Sequence, residues 1–139
     1  METLARDVSE IIIHCAATRQ GLDFRASDID LWHRQKGWEG IGYHFVILLD
    51  GTIEQGRPMS KVGAHCYGHN EHSVGLCYVG GLDAEDNPMD TRTPAQQESL
   101  HRLLFCLGRC FPDATVHGHN EFSCKACPCF QVSEMLVAD

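Results

Sequence analysis

The chain has 139 residues, with 11 Lys and Arg against 19 Asp and Glu, nine His and eight Cys, for a formal net charge of -8. That length predicts one domain over residues 1–139 with a real core. The acidic balance, with no cluster of basic residues, argues against a phosphate-binding surface and so against a specific nucleic-acid partner.

The first segment, "METLARDVSEIIIHC", has an apolar run of only three isoleucines, flanked by Asp7 and Glu10. No small-residue cleavage signature follows, so it does not read as a secretory signal. No stretch of the chain is apolar for long enough to span a bilayer, and no membrane role is expected. These features predict synthesis in a reducing cytoplasm, where most of the eight cysteines serve as small buried hydrophobes.

"EIIIHCAAT" is a β-branched run ending in small residues, as a buried strand does on reaching a site. "SDIDLWHRQKG" predicts a helix at about residues 28 to 36, with Ser27 and Asp30 in capping-box spacing and Gly37 as its stop. His33 falls on the polar face of that helix, where solvent is expected. "YHFVILLDGTIEQG" sets Asp50-Gly51 between two β-rich runs, a hairpin signal, with Tyr43 at the start of the first.

Residues 60 to 72, "SKVGAHCYGHNEH", lack apolar periodicity and predict a functional loop in which His69 and His72 are solvated. The strand "SVGLCYVGG" follows. "TPAQQESLHRLLFCLGRC" begins a helix at Thr93, with Pro94 at the first helical position and Gln96 three residues after the cap. Leu100, Leu103, Leu104 and Leu107 give it one apolar stripe. "ATVHGHN" reads as a last strand, and the cysteine-rich loop "SCKACPCF" comes after it. The alternation predicts an α/β or α+β fold, a mixed sheet flanked by helices.

Soft and borderline ligands gather at the ends of these elements. His14 ends the first strand, His117 and His119 flank Gly118 at the end of the last, and Cys127 follows eight residues after His119. Three ligands from separate elements, with a fourth position left to solvent, is the pattern of a catalytic zinc. Cys124 and Cys127 also have the C-x2-C spacing of a zinc knuckle that His117 or His119 would complete, although no second half of such a motif is present. Cys127 as a nucleophile beside a histidine base is a third reading. Spacing alone leaves all three open.

The blocks "IIIHCAAT", "GWEGIGYHFVILLDGTIEQGR", "VGAHCYGHNEHSVGLCYVGG", "TPAQQESL" and "HNEFSCKACPCF", in unbroken order from about residue 10 to residue 130, together resemble the type 2 N-acetylmuramoyl-L-alanine amidases. Phage endolysins belong to that family, and animal peptidoglycan recognition proteins share its fold. The resemblance implies one Zn2+ held by His14, His119 and Cys127, with Tyr43 and Lys125 as the catalytic side chains. His119 is preferred to His117 because the family's ligand stands six residues before the lysine. The family requires cysteine at neither position 124 nor position 129.

The implied substrate is peptidoglycan, cut between N-acetylmuramic acid and L-alanine by a monomer that reaches the wall after release from the cytoplasm. Among the recognition proteins a Gly-Trp pair and an Arg after the hairpin favour stems containing meso-diaminopimelate. Here those residues are Gly37, Trp38 and Arg57, and His65 is a candidate contact for peptide or sugar. A binding module without hydrolysis is a rival reading, but in this family it is marked by loss of the cysteine, and Cys127 is present. One phage member also inhibits RNA polymerase, partly through N-terminal residues that "METLARDVSE" does not match. The family's longer C-terminal helix is also more than "FQVSEMLVAD" can form.

Overall fold

Three consecutive isoleucines set the centre of the fold. In the computed structural model, which describes residues 6–137, strand β1 (Glu10–Cys15) carries Ile11, Ile12 and Ile13, each no more than 1% exposed. A strand apolar on both sides needs cover on both sides, and parallel neighbours with helices over each face provide it. Full burial of each isoleucine contributes roughly 1.5–3 kcal/mol. Residues 1–5, part of the segment compared above with a polymerase-binding N-terminus, lie outside the described residues.

Chain order then runs β2 (Thr18–Arg19), α1 (Ala26–Gln35), β3 (Phe45–Ile47), β4 (Ile53–Gln55), β5 (Ser73–Tyr78), β6 (Gly81–Leu82), α2 (Pro94–Cys110), β7 (Thr115–Gly118) and α3 (Val132–Val137). The main sheet has the order β4-β3-β5-β1-β7. Its strands are parallel except β4, which closes the expected hairpin with β3. Gly51 takes φ +89°, and the Asp50 carboxylate accepts from Thr52 N–H at 2.9 Å, as an Asx turn requires. A small parallel pair, β2 with β6, was not signalled by the sequence.

Alternation along the strands divides the core. Ile11, Ile13, Val74, Leu76 and Ile47 face α2 and α3, where Leu100, Leu103, Leu107, Val132 and Met135 meet them. Val46, Leu48, Cys77 and Val79 face α1 and its Ile29. His14, between Ile13 and Cys15, therefore points to the α1 side. The short α3 still seats two residues in the core, although it is the whole of the described C-terminal helix.

Helix α2 is capped as expected. Thr93 Oγ1 accepts from Gln96 N–H, and the Gln96 side chain accepts from Thr93 N–H at 2.9 Å. Helix α1 differs, starting two residues earlier with Arg25 as its cap, because Asp28 reaches back to accept from Arg25 N–H at 2.8 Å. Ser27 is not the cap, and Asp30 instead accepts from Ile41 N–H and pairs with Arg34.

The expectation for the cysteines needs correction too. Only Cys15, Cys66 and Cys77 are buried, while Cys106, Cys110 and Cys124 are exposed; all eight are free thiols. Cys106 and Cys110 stand four apart on the outer face of α2, which explains their exposure.

Candidate metal centre

His14, next to last on β1, is 1% exposed. β7 is hydrogen-bonded to β1 up to Gly118, so the chain leaves the sheet beside His14 and turns into a short 3-10 segment, His119–Glu121. The expected last strand thus stops one residue before His119. The following loop returns over the end of β1, where Cys127 Sγ accepts from Cys15 N–H at 3.2 Å. The Tyr78 hydroxyl donates to Pro128 O at 2.6 Å and pins that loop to the end of β5.

Through these constraints one ligand atom each from His14, His119 and Cys127 lies within 4.8 Å of the other two. Cys127 Sγ and His14 Nδ1 are 3.9 Å apart. Ligands about 2.0–2.3 Å from a shared tetrahedral ion stand roughly 3.5 Å from one another, so a small contraction would close this set on a metal. Cys124, by contrast, is exposed and no part of the cluster. His117 turns away to Thr115 and to Glu121, which it meets at 2.8 Å.

The electrostatics suit the same reading. Burial, then the neighbouring His65, His119 and Lys125, hold the His14 imidazole well below its ordinary pKa. Burial and Lys125 lower His119 in the same way. Both rings are therefore neutral at pH 7, as metal ligation demands. Burial above all, with the nearby thiols of Cys77, Cys127 and Cys15, pushes the Tyr43 hydroxyl well above its ordinary value, so it remains a proton donor.

A cleft of about 600 Å³ lies over this cluster, lined by His14, Tyr43, His65, His119, Phe122 and Lys125. Tyr43 precedes β3 rather than opening it, and its ring is 5.0 Å from that of His14. Trp38, Lys36 and Tyr67 join the lining from its exposed side, with Lys36 Nζ 5.3 Å above the Trp38 ring. Gly37 takes φ +90° at the end of α1 and aims Trp38 back across His33. A larger hollow of about 690 Å³, lined by Phe45, Met59, Leu107 and Phe111, lies on the α2 side and gathers no comparable set of ligating groups.

Several expected roles change in this geometry. His33 is buried, not solvated: the segment after α1 folds over it, and Gly42 N–H donates to its Nδ1 at 2.9 Å. Its pKa falls to about 4, chiefly through burial. His69 is half-buried, stacked on Phe122 at 3.9 Å and 2.9 Å from Glu10. Arg57 donates to the carbonyls of Ile41 and Val62 and lines a separate recess with Asp30, Glu39 and Lys61. His65 does line the cleft, yet both of its ring nitrogens are occupied, by His14 and Ser73. Sequence reading missed Lys36, Tyr67 and Phe122; an aromatic between Cys66 and Gly68 in a loop without apolar periodicity was the available signal for Tyr67.

Comparison with known proteins follows the same lines. Residues 4–130 match the family described as N-acetylmuramoyl-L-alanine amidase. An endolysin of Klebsiella phage KP32 is 42% identical over 143 residues, covering 99% of this chain and 95% of that protein. The endolysin of Escherichia phage T7 is 41% identical over 135 residues, covering 93% and 89%. The solved N-acetylmuramoyl-L-alanine amidase LysC from Clostridium intestinale URNW superposes with a TM-score of 0.82 at 30% identity, covering 96% and 85%. By sequence over nearly its whole length and by fold, the chain belongs to the N-acetylmuramoyl-L-alanine amidase family and is an enzyme of that class.

Proposed function

We propose that the whole chain, residues 1–139, is one zinc-dependent amidase domain of the phage endolysin kind, in which His14, His119 and Cys127 hold a single Zn2+. The observation that carries this reading is the meeting of three ligand atoms within 4.8 Å from residues up to 113 positions apart. When bound, the zinc supplies a Lewis acid for the scissile carbonyl and a nucleophile available at neutral pH. Two imidazoles and one thiol, with the imidazoles kept neutral by burial, fit that ion.

The bond cut is the amide joining the lactyl group of N-acetylmuramic acid to L-alanine. Lys125 brings an ammonium to the cleft and stabilises the oxyanion that develops on the carbonyl. Tyr43, kept protonated, donates a hydrogen bond to the same region and orients the attacking solvent. Trp38 and Tyr67 offer ring faces to the glycan and stem. Lys36 is the cleft cation nearest Trp38 and takes the role expected of Arg57, that of meeting a stem carboxylate. The phage relatives named for Klebsiella and Escherichia hosts support a meso-diaminopimelate wall as substrate. The enzyme is made in the cytoplasm, acts as a monomer, and meets the wall once the membrane fails during lysis.

The test is metal analysis together with digestion of purified meso-diaminopimelate peptidoglycan and mass spectrometry of the products. One zinc per chain, release of peptides beginning with L-alanine, and loss of both in Cys127→Ser are expected. Undiminished release by Cys127→Ser would reject the zinc mechanism.

A further inference from the structure

We propose that His65 and Ser73 form a hydrogen-bonded relay that fixes the tautomer and orientation of His14, so that His65 is a positioning residue for the metal ligand rather than a contact for peptide or sugar. The inference rests on the zinc reading above for its purpose, though not for its geometry.

The two nitrogens of His14 face different partners. Nδ1 lies 3.9 Å from Cys127 Sγ, on the side of the ligand cluster. Nε2 lies 2.9 Å from His65 Nδ1. A neutral imidazole has one N–H, and if the Nδ1 lone pair is to face an ion, the hydrogen belongs on Nε2. His14 Nε2–H then donates to His65 Nδ1. His65, acting as acceptor at Nδ1, carries its own hydrogen on Nε2 and donates it to Ser73 Oγ at 3.1 Å. The reversed chain, with Ser73 Oγ–H donating to His65 Nε2 and His65 Nδ1–H to His14 Nε2, would satisfy the same contacts, so it is the lone pair required at His14 Nδ1 that selects this direction. The opposite tautomer of His14 would turn an N–H toward Cys127 and remove the lone pair from the metal position.

The fold reserves a place for this ring. A Cβ on Gly75 of β5 would stand 2.7 Å from His65 Cγ and Cδ2, and one on Gly63 would stand 2.6 Å from Cδ2. Only glycine at these two positions lets His65 lie against the sheet. The Asn70 carboxamide oxygen accepts from His65 N–H at 2.9 Å and fixes the backbone behind it. Ser73 is fully buried, and the His14 and His65 rings meet edge to face, 4.9 Å apart at 89°. Partners that orient a metal-ligating histidine in this way typically account for 10–100-fold in metal affinity.

The experiment is competition for Zn2+ against a chromophoric chelator, run on the wild type, His65→Leu, His65→Asn and Ser73→Ala. His65→Leu is expected to bind zinc roughly 10–100-fold more weakly. His65→Asn, whose carboxamide oxygen takes the place of Nδ1 as acceptor, is expected to recover most of that loss, and Ser73→Ala to fall between the two. A folded His65→Leu with wild-type zinc affinity and only a raised KM would overturn the relay in favour of a substrate contact. Should His65→Leu not fold, long-range 1H–15N NMR of the metal-free wild type decides instead. Hydrogen on Nε2 of both His14 and His65 supports the relay, and hydrogen on His14 Nδ1 overturns it. A wild type that binds no Zn2+ would reject the proposed function, while the NMR result still decides the relay.

Discussion

Tyr78→Phe removes one atom from the far side of the metal loop. The hydroxyl of Tyr78 donates to Pro128 O at 2.6 Å in a region where Tyr78 is 1% exposed and Pro128 is buried. The phenyl ring of the substitute keeps the packing against the core, so no cavity term arises. What changes is a buried carbonyl left without a donor, which costs about 1–3 kcal/mol. For a domain of this size, about 3 °C of melting temperature accompanies each kcal/mol, so Tm is expected to fall by about 3–9 °C. Because Pro128 directly follows Cys127, Zn2+ affinity is expected to weaken as well. Differential scanning calorimetry of the metal-free protein and chelator competition measure the two effects separately. A Tm within about 1 °C of wild type, with unchanged zinc affinity, would refute the claim that this hydrogen bond holds the ligand loop.

Acid should destabilise the metal-free protein in a defined window. His33 and His44 each accept a backbone N–H and have pKa values of about 4, so between pH 6.5 and 4 the unfolded chain binds more protons and stability falls as pH is lowered. Each gap corresponds to about 3 kcal/mol, read by urea denaturation at pH 7 and pH 4.5, and equal stabilities at the two would contradict the assignment. Lys125→Ala is expected to keep its zinc while losing on the order of 10²- to 10³-fold in kcat on peptidoglycan; a loss confined to KM would move Lys125 from catalysis to binding. Gln96→Leu leaves the Val79 carbonyl without its buried side-chain donor and uncaps Thr93 N–H, while Ile47 O keeps the N–H of Val79, so about 2 kcal/mol or more should vanish from the urea-unfolding free energy, and a loss below about 1 kcal/mol would show that water replaces the carboxamide.

Much of the fold was legible because its signals are local. The Thr93, Pro94 and Gln96 start of α2, the Asp50-Gly51 turn and the apolar run of β1 each declare themselves within a few residues. What escaped depends on partners distant in sequence. His33 looked solvated on a helical wheel because its cover comes from the Gly42 segment, which no helical period encodes. The cap of α1 was misread because two acidic residues compete for it, and the one chosen depends on Asp30 being drawn to Ile41 N–H. The ligand trio entered through five sequence blocks taken together, whereas residue spacing left a knuckle and a thiol nucleophile equally open. Arg57 shows how much a motif position leaves unsaid: its side chain also donates to two backbone carbonyls, a structural tie that no sequence block announces.

The order of the strands also has a temporal consequence. β1, which brings His14, is nearly the first element made, and its central place in the sheet is flanked by β5 and by the late strand β7. During translation His14 therefore waits through more than a hundred further codons, and the cluster of three donor side chains comes together only after residue 127 has cleared the ribosome and docked. A ribosome that stalls before that point releases a fragment in which the His14, His119 and Cys127 cluster is never assembled.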